Sequence, residues 1–223
     1  MLYVALAVIP GLFLMIFIYT RDQLHPEPKR QIIRLFLLGA AIVFPAGLIE
    51  RMTMDSPGFQ QGGLEGRIIT AFFIAGMIEE FLKASIFDRT VLHSSLIQGR
   101  VDCIVYAAAI GLGFATVENI LYVTSSGFLT AIVRSVTAVP AHFMFAIIMG
   151  YRFAKTKFDG KNKAFAYLLP ALAHGTYDTF ALASTLWADI ILAVLLLVLA
   201  EISAKILRNV GATRRGTVHF RNS

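Results

Sequence analysis

The sequence predicts an all-α, polytopic transmembrane bundle of about seven helices, and three observations carry that prediction. Hydrophobic residues fill 57% of its 223 positions and charged ones only 15%, with mean hydropathy +0.71; soluble domains carry about 45–50% apolar and about 25% charged residues. The apolar residues fall in blocks of roughly 20, the length that crosses a hydrocarbon core. Lys and Arg are crowded into every second connection between blocks. Seven spans use about 140 positions, so the reading is a single transmembrane domain over 1–207 followed by a basic cytoplasmic tail, 208–223.

The first block, Met1–Thr20, lacks a positive flank and a small-residue cleavage site, and reads as a helix rather than a cleaved leader. The others run about Gln31–Glu50, Arg67–Asp88, Val101–Thr124, Phe128–Tyr151, Ala164–Leu186 and Ala188–Leu207. Asp22–Pro28 and Ser56–Gly63 are rich in Pro, Gly and Asp and read as connections. Gly111 and Gly113 interrupt the fourth block, where small residues permit close helix packing. The tail from Asn209 is polar and basic.

Sixteen of the twenty Lys and Arg residues lie in one alternating set of connections and two, Arg51 and Arg67, in the other. Cytoplasmic loops are the positive ones, so the expected topology has the amino terminus outside and the carboxy terminus in the cytoplasm. The net charge of +6 follows the same pattern, with no basic stripe interleaved with aromatics, so the expected partner is a lipid bilayer and not nucleic acid. Cys103 is the sole cysteine, which excludes an internal disulfide and a multi-cysteine metal site.

Lys83 and Arg134, the two remaining cations, fall inside apolar blocks together with Glu79, Glu80, Glu118, Asn119, His142, His174 and Asp178. Each charge in hydrocarbon costs at least about 2.5–3.5 kcal/mol, so such groups face the bundle interior, pair with one another and mark function. Lys83 is three and four residues from Glu80 and Glu79 and shares a face with both; His174 and Asp178 are four apart. Counting about 1.5 Å per residue from each cytoplasmic end puts Glu79, Glu80, His142 and His174 level, roughly 12–15 Å deep. Asp178 and Glu118 fall further along, with Arg134 at Glu118's height. Glu118 therefore has two readings, a structural pair with Arg134 or a catalytic group.

A desolvated glutamate with two histidines is enough to deprotonate water and stabilise an oxyanion. No Ser-His-Asp or Cys-His order stands out, and Cys103 falls near the cytoplasmic end of its block, which argues against a covalent nucleophile. Glu and two His could ligate zinc, but the His-Glu-x-x-His signature is absent, and neither metal nor cofactor is expected. A proton- or ion-coupled transporter would use the same buried groups. Composition leaves hydrolase and transporter open, although no internal repeat or paired interrupted helix favours the latter.

Four ordered motifs separate the two. Glu79-Glu80-Phe81-Leu82-Lys83, Phe114-Ala115-Thr116-Val117-Glu118-Asn119, the histidine of Pro140-Ala141-His142-Phe143, and His174-Gly175-Thr176-Tyr177-Asp178 resemble the motifs of the PrsW family of bacterial membrane proteases, and the likeness extends from Arg21-Asp22-Gln23 through Asp178. That family is related to the CAAX-prenyl endopeptidase and bacteriocin-processing group of glutamate-dependent intramembrane proteases. In the wider group the second motif ends in His and the last commonly in Asn, where this chain has Glu118 and Asp178. The resemblance implies a multi-pass protein of the bacterial cell membrane in which Glu79 is the base on water, supported by Glu80 and Lys83. His142 and His174 would orient water and stabilise the oxyanion, with Asp178 holding His174. It also implies a single-pass membrane substrate, an anti-sigma factor cut on its extracytoplasmic side in envelope-stress signalling. The depth count puts the glutamates near mid-membrane, so the substrate segment has to enter the bundle or a funnel has to open outward.

Overall fold

The computed structural model describes residues 2–21, 27–55, 66, 72, 76–183 and 185–219. All regular elements among them are helical: α1 Leu2–Tyr19, α2 Lys29–Ala41, α3 Val43–Met54, α4 Met77–Phe87 with a π-helical turn Asp88–Leu92, α5 Arg100–Val136, α6 Ala138–Asp159, α7 Ala164–Ala181 and α8 Leu186–His219.

The centre of the fold is a hairpin. Arg100–Asp159 would extend about 90 Å as one straight helix, three times the hydrocarbon thickness. Gly127, at φ 84°, breaks it in a conformation that L side chains rarely adopt. The arms then run antiparallel: a Cβ on Gly150 would lie 2.6 Å from the Cys103 carbonyl oxygen, one on Gly111 would lie 2.7 Å from the Ala146 Cβ, and Arg134 hydrogen-bonds Asn119 near the apex. These arms correspond to the fourth and fifth apolar blocks and bury most of the core.

The remaining helices pack around this hairpin. α1 lies along α5 with its start toward the apex: Asn119 Nδ2 donates to the Ala7 carbonyl and Ser135 Oγ to that of Leu6. α2 crosses α5 where a Cβ on Gly39 would overlap the Ile110 backbone and one on Gly113 the Phe36 backbone, so these glycines serve close packing. The chain bends at Ile42, three residues before Pro45, which lacks the N–H that a straight helix would use. α3 then covers Phe114 and Val117 of α5 and Ile78 and Leu82 of α4. At the other end of the hairpin, Arg100 and Lys155 both bind Asp159, and Asp88 accepts from Lys163 and Tyr167. Glu27, next to the first connection, is buried; Tyr106 donates to its carboxylate and Tyr19 to its carbonyl.

The expectation of about seven crossing helices with the amino terminus outside is not supported. Among the described residues, three helical stretches are long and apolar enough to cross a membrane: Lys29–Met54, Arg100–Asp159 and Leu186–Gly211; Val4–Tyr19 is a shorter apolar helix. The physical reason is that the site's own residues dilute two of the predicted spans. α4 carries Glu79, Glu80 and Lys83 within eleven residues, and α7 carries His174, Asp178 and Pro170. Most of 67–76, the first half of the predicted third span, lies outside the described residues, as do 22–26 and 56–65 of the two connections. The fold arranges the helix ends relative to one another and assigns neither terminus to a side. The last helix also continues past its predicted end at Leu207 to His219.

Candidate active site

α4 places Glu79, Glu80 and Lys83 on its inward face, where all three are buried. A buried ammonium is tolerated only with partners, and Lys83 Nζ has three: Glu79 Oε2 at 3.0 Å, Glu80 Oε1 at 2.8 Å and His142 Nδ1 at 3.2 Å. It also sits 3.7 Å from the centroid of the Phe114 ring, a cation–π contact. An ammonium has no lone pair, so His142 Nδ1 must accept and the ring carries its proton on Nε2. That Nε2 then donates to Glu118 Oε2 at 2.8 Å.

His174 lies on the other side of the glutamates. Its Nδ1 is 3.1 Å from Glu80 Oε1 and 3.8 Å from Glu79 Oε2, and its Nε2 is 3.2 Å from Asp178 Oδ2. Both ring nitrogens therefore face carboxylates, a setting suited to the doubly protonated imidazolium. The two imidazoles meet edge to face with centroids 4.8 Å apart, and Phe145 stacks on His174 at 5.0 Å.

Glu118 forms the expected pair with Arg134 and also meets His142. Its Oε2 takes Arg134 Nη2 at 2.9 Å and His142 Nε2 at 2.8 Å, so the ion pair anchors the carboxylate that orients the histidine. Arg134 is fixed in turn by Asn119 Oδ1 at 3.2 Å and lies 3.8 Å from the Tyr122 ring centroid. Asp178 does for His174 what Glu118 does for His142.

All seven candidate residues, Glu79, Glu80, Lys83, Glu118, His142, His174 and Asp178, thus join one connected network drawn from four helices. The two glutamates differ within it. Among the described residues, Glu80 accepts from Lys83 and His174 and its side chain is 1% exposed, whereas Glu79 accepts a single hydrogen bond, from Lys83, and keeps 7% exposure. Sequence reasoning gave no role to Phe114 and Phe145, the aromatic walls, although Phe145 is three residues from His142 and so shares its face. It also passed over Glu50.

A buried glutamate–histidine–lysine layer in a helical membrane protein suits an intramembrane hydrolase, and the comparisons with known proteins supply the class and the family. Residues 27–202 match the family model described as PrsW family intramembrane metalloprotease, and the chain belongs to that family. It is a peptidase and a multi-pass protein of the bacterial membrane. It is 36% identical over 208 residues to Protease PrsW of Clostridioides difficile strain 630, covering 89% of this chain and 87% of the relative. To Protease PrsW of Geobacillus kaustophilus it is 35% identical over 188 residues, covering 82% and 81%. To that of Bacillus subtilis strain 168 it is 33% identical over 189 residues, covering 82% and 84%. No solved structure matches the chain.

The family description names a metal, and the donor chemistry invites one. Glu79, Glu80, His142 and His174 each offer a ligand atom, all within 4.8 Å of one another, and zinc takes such oxygen and imidazole donors. Carboxylates behind both imidazoles are also what zinc histidines use for orientation. The middle of this set, however, is already held by a cation. Lys83 Nζ is within hydrogen-bond distance of three of the four donors, and a divalent ion at about 2.0–2.2 Å from the same atoms would press against a buried ammonium. In this arrangement the residues do not fit a metal.

Proposed function

We propose that the chain is a glutamate-type intramembrane endopeptidase whose nucleophile is water activated by Glu79. The observation that carries this reading is the contrast within the Glu79–Glu80 pair: Glu79 holds one hydrogen bond and some exposure, while Glu80 is bound twice and closed off. Glu79 removes a proton from water, and the hydroxide oxygen adds to the scissile carbonyl carbon. The oxyanion forms beside the Lys83 ammonium, whose N–H toward Glu79 is released once that carboxylate is protonated, and beside the His174 ring, in a setting that excludes bulk water. Glu118 and Asp178 hold the two imidazoles, Glu80 fixes Lys83 and His174, and no step runs through a metal.

The proposed substrate is a single-pass membrane-anchored regulatory protein, an anti-sigma factor cut on its extracytoplasmic side as the first step of an envelope-stress response. The motif resemblance supports this, and the buried site requires a substrate segment that enters the bundle.

Co-expression of the chain with candidate single-pass anti-sigma factors tests the reading. Wild type should yield a shortened membrane-bound fragment that Glu79→Ala and His174→Ala do not, with both variants inserted normally. Normal processing by either variant would overturn the hydrolytic assignment.

A further inference from the structure

Glu50 belongs to none of the matched motifs, and its surroundings connect it to the site. α3 presents Val43 and Ala46 to a cluster with Phe114, Ile78, Leu82 and Val117, and Glu50, four residues beyond Ala46, continues that face. Two members of that cluster lead to the site: the Phe114 ring lies 3.7 Å from Lys83 Nζ, and Val117 precedes Glu118 on α5. The Glu50 side chain is half-buried, and its Oε1 is closed to solvent with no hydrogen-bond partner.

A buried carboxyl oxygen left unpaired is costly and calls for an explanation. In the rest of the network every carboxylate has a cationic partner: Glu79 and Glu80 meet Lys83, Glu118 meets Arg134, and Asp178 meets the His174 ring. Those four carboxylates already exceed their three cations, so a fifth negative charge has no counter-charge and Glu50 is placed to carry a proton. Glu80 Oε2 is also unpaired, but Glu80 is held through Oε1 by Lys83 and His174 and has no proton to give.

We propose that Glu50 is a catalytic acid, the proton donor to the leaving nitrogen of the cleaved peptide bond. This inference rests on the peptidase reading. Water loses a proton to Glu79 and its oxygen bonds to the carbonyl carbon. The carbon–nitrogen bond then breaks, its electron pair staying on nitrogen, which takes the Glu50 proton. After the products leave, Glu79 gives its proton to water and Glu50 takes one up, and one water has been consumed to give a carboxyl group and an amine.

The first measurement needs no substrate. Dicyclohexylcarbodiimide adds to protonated carboxyl groups in apolar surroundings, and peptide mass spectrometry of the full chain in liposomes at neutral pH should find the adduct on Glu50 in wild type and in Glu79→Ala. An unlabelled Glu50 would overturn the proposal, whatever the activity. The second uses a single-pass reporter peptide that wild type cleaves and Glu79→Ala does not, a difference whose absence would sink the peptidase reading itself. On that reporter Glu50→Gln should lower kcat about a hundredfold with KM unchanged and remove the alkaline limb of the pH–rate profile, while Glu50→Asp should restore part of the rate and the limb. Wild-type kcat and profile in Glu50→Gln would overturn the assignment.

Discussion

Lys83 Nζ lies 3.2 Å from Nδ1 of His142, inside the set of donors that would otherwise ligate a metal. The ammonium is the resident cation of the site. It joins both glutamates to the histidine and fixes which nitrogen of that ring bears the proton.

If the ammonium excludes a metal, its removal should admit one. Lys83→Met should bind about one zinc ion per chain, read by elemental analysis after dialysis, where wild type retains none; Glu79→Ala added to Lys83→Met should weaken that binding. Zinc retained at one ion per wild-type chain would refute the exclusion.

Chelation provides the converse check. Exhaustive treatment of the wild-type protein with a zinc chelator should leave the rate of reporter cleavage unchanged. Loss of activity that added zinc restores would show that Lys83 yields its place to a metal in the working enzyme.

Arg134 acts on the site through Glu118, whose Oε2 it holds at 2.9 Å. Arg134→Leu should leave the carboxylate tied to His142 alone and lower kcat about 10- to 100-fold, the range for loss of a group that orients a functional histidine, with KM little changed. A kcat equal to wild type would separate the ion pair from catalysis.

Helix packing makes a prediction independent of chemistry. A Cβ on Gly113 would overlap the Phe36 backbone, whereas Gly47 has nothing within 4 Å of the corresponding position. Gly113→Val should destabilise the protein by about 1–3 kcal/mol or more, as overpacking does, seen as a lower Tm in detergent. Gly47→Ala should leave Tm unchanged or slightly raised.

What the sequence disclosed about this site was what helical spacing fixes locally. Lys83 beside Glu79 and Glu80, and Asp178 beside His174, follow from three- and four-residue intervals. The fold between Thr124 and Phe128 follows from a break in the apolar pattern that the structure assigns to Gly127. Relationships between helices were less legible. That one Glu118 oxygen serves Arg134 and His142 together depends on how the hairpin arms are rotated, which no interval encodes. Glu50 sat at the end of a predicted span, where a carboxylate reads as solvated, and only the packing of α3 on Phe114 and Val117 turns it inward. The count of seven spans rested on treating each polar-diluted block as a crossing, and α4 and α7 are the blocks that the site dilutes most. The last helix outran its predicted end because the polar residues after Leu207 include Arg208, Ala212, Arg214 and Arg215, which favour a helix, and loss of hydrophobicity alone does not stop one.

The central claim is that Glu79 activates the attacking water. The direct measurement is cleavage of a single-pass reporter by purified protein in liposomes, wild type against Glu79→Gln, which preserves the side chain's size and removes its basicity. The account predicts at least about a hundredfold loss of rate in Glu79→Gln with insertion and Tm retained; cleavage at the wild-type rate would contradict it.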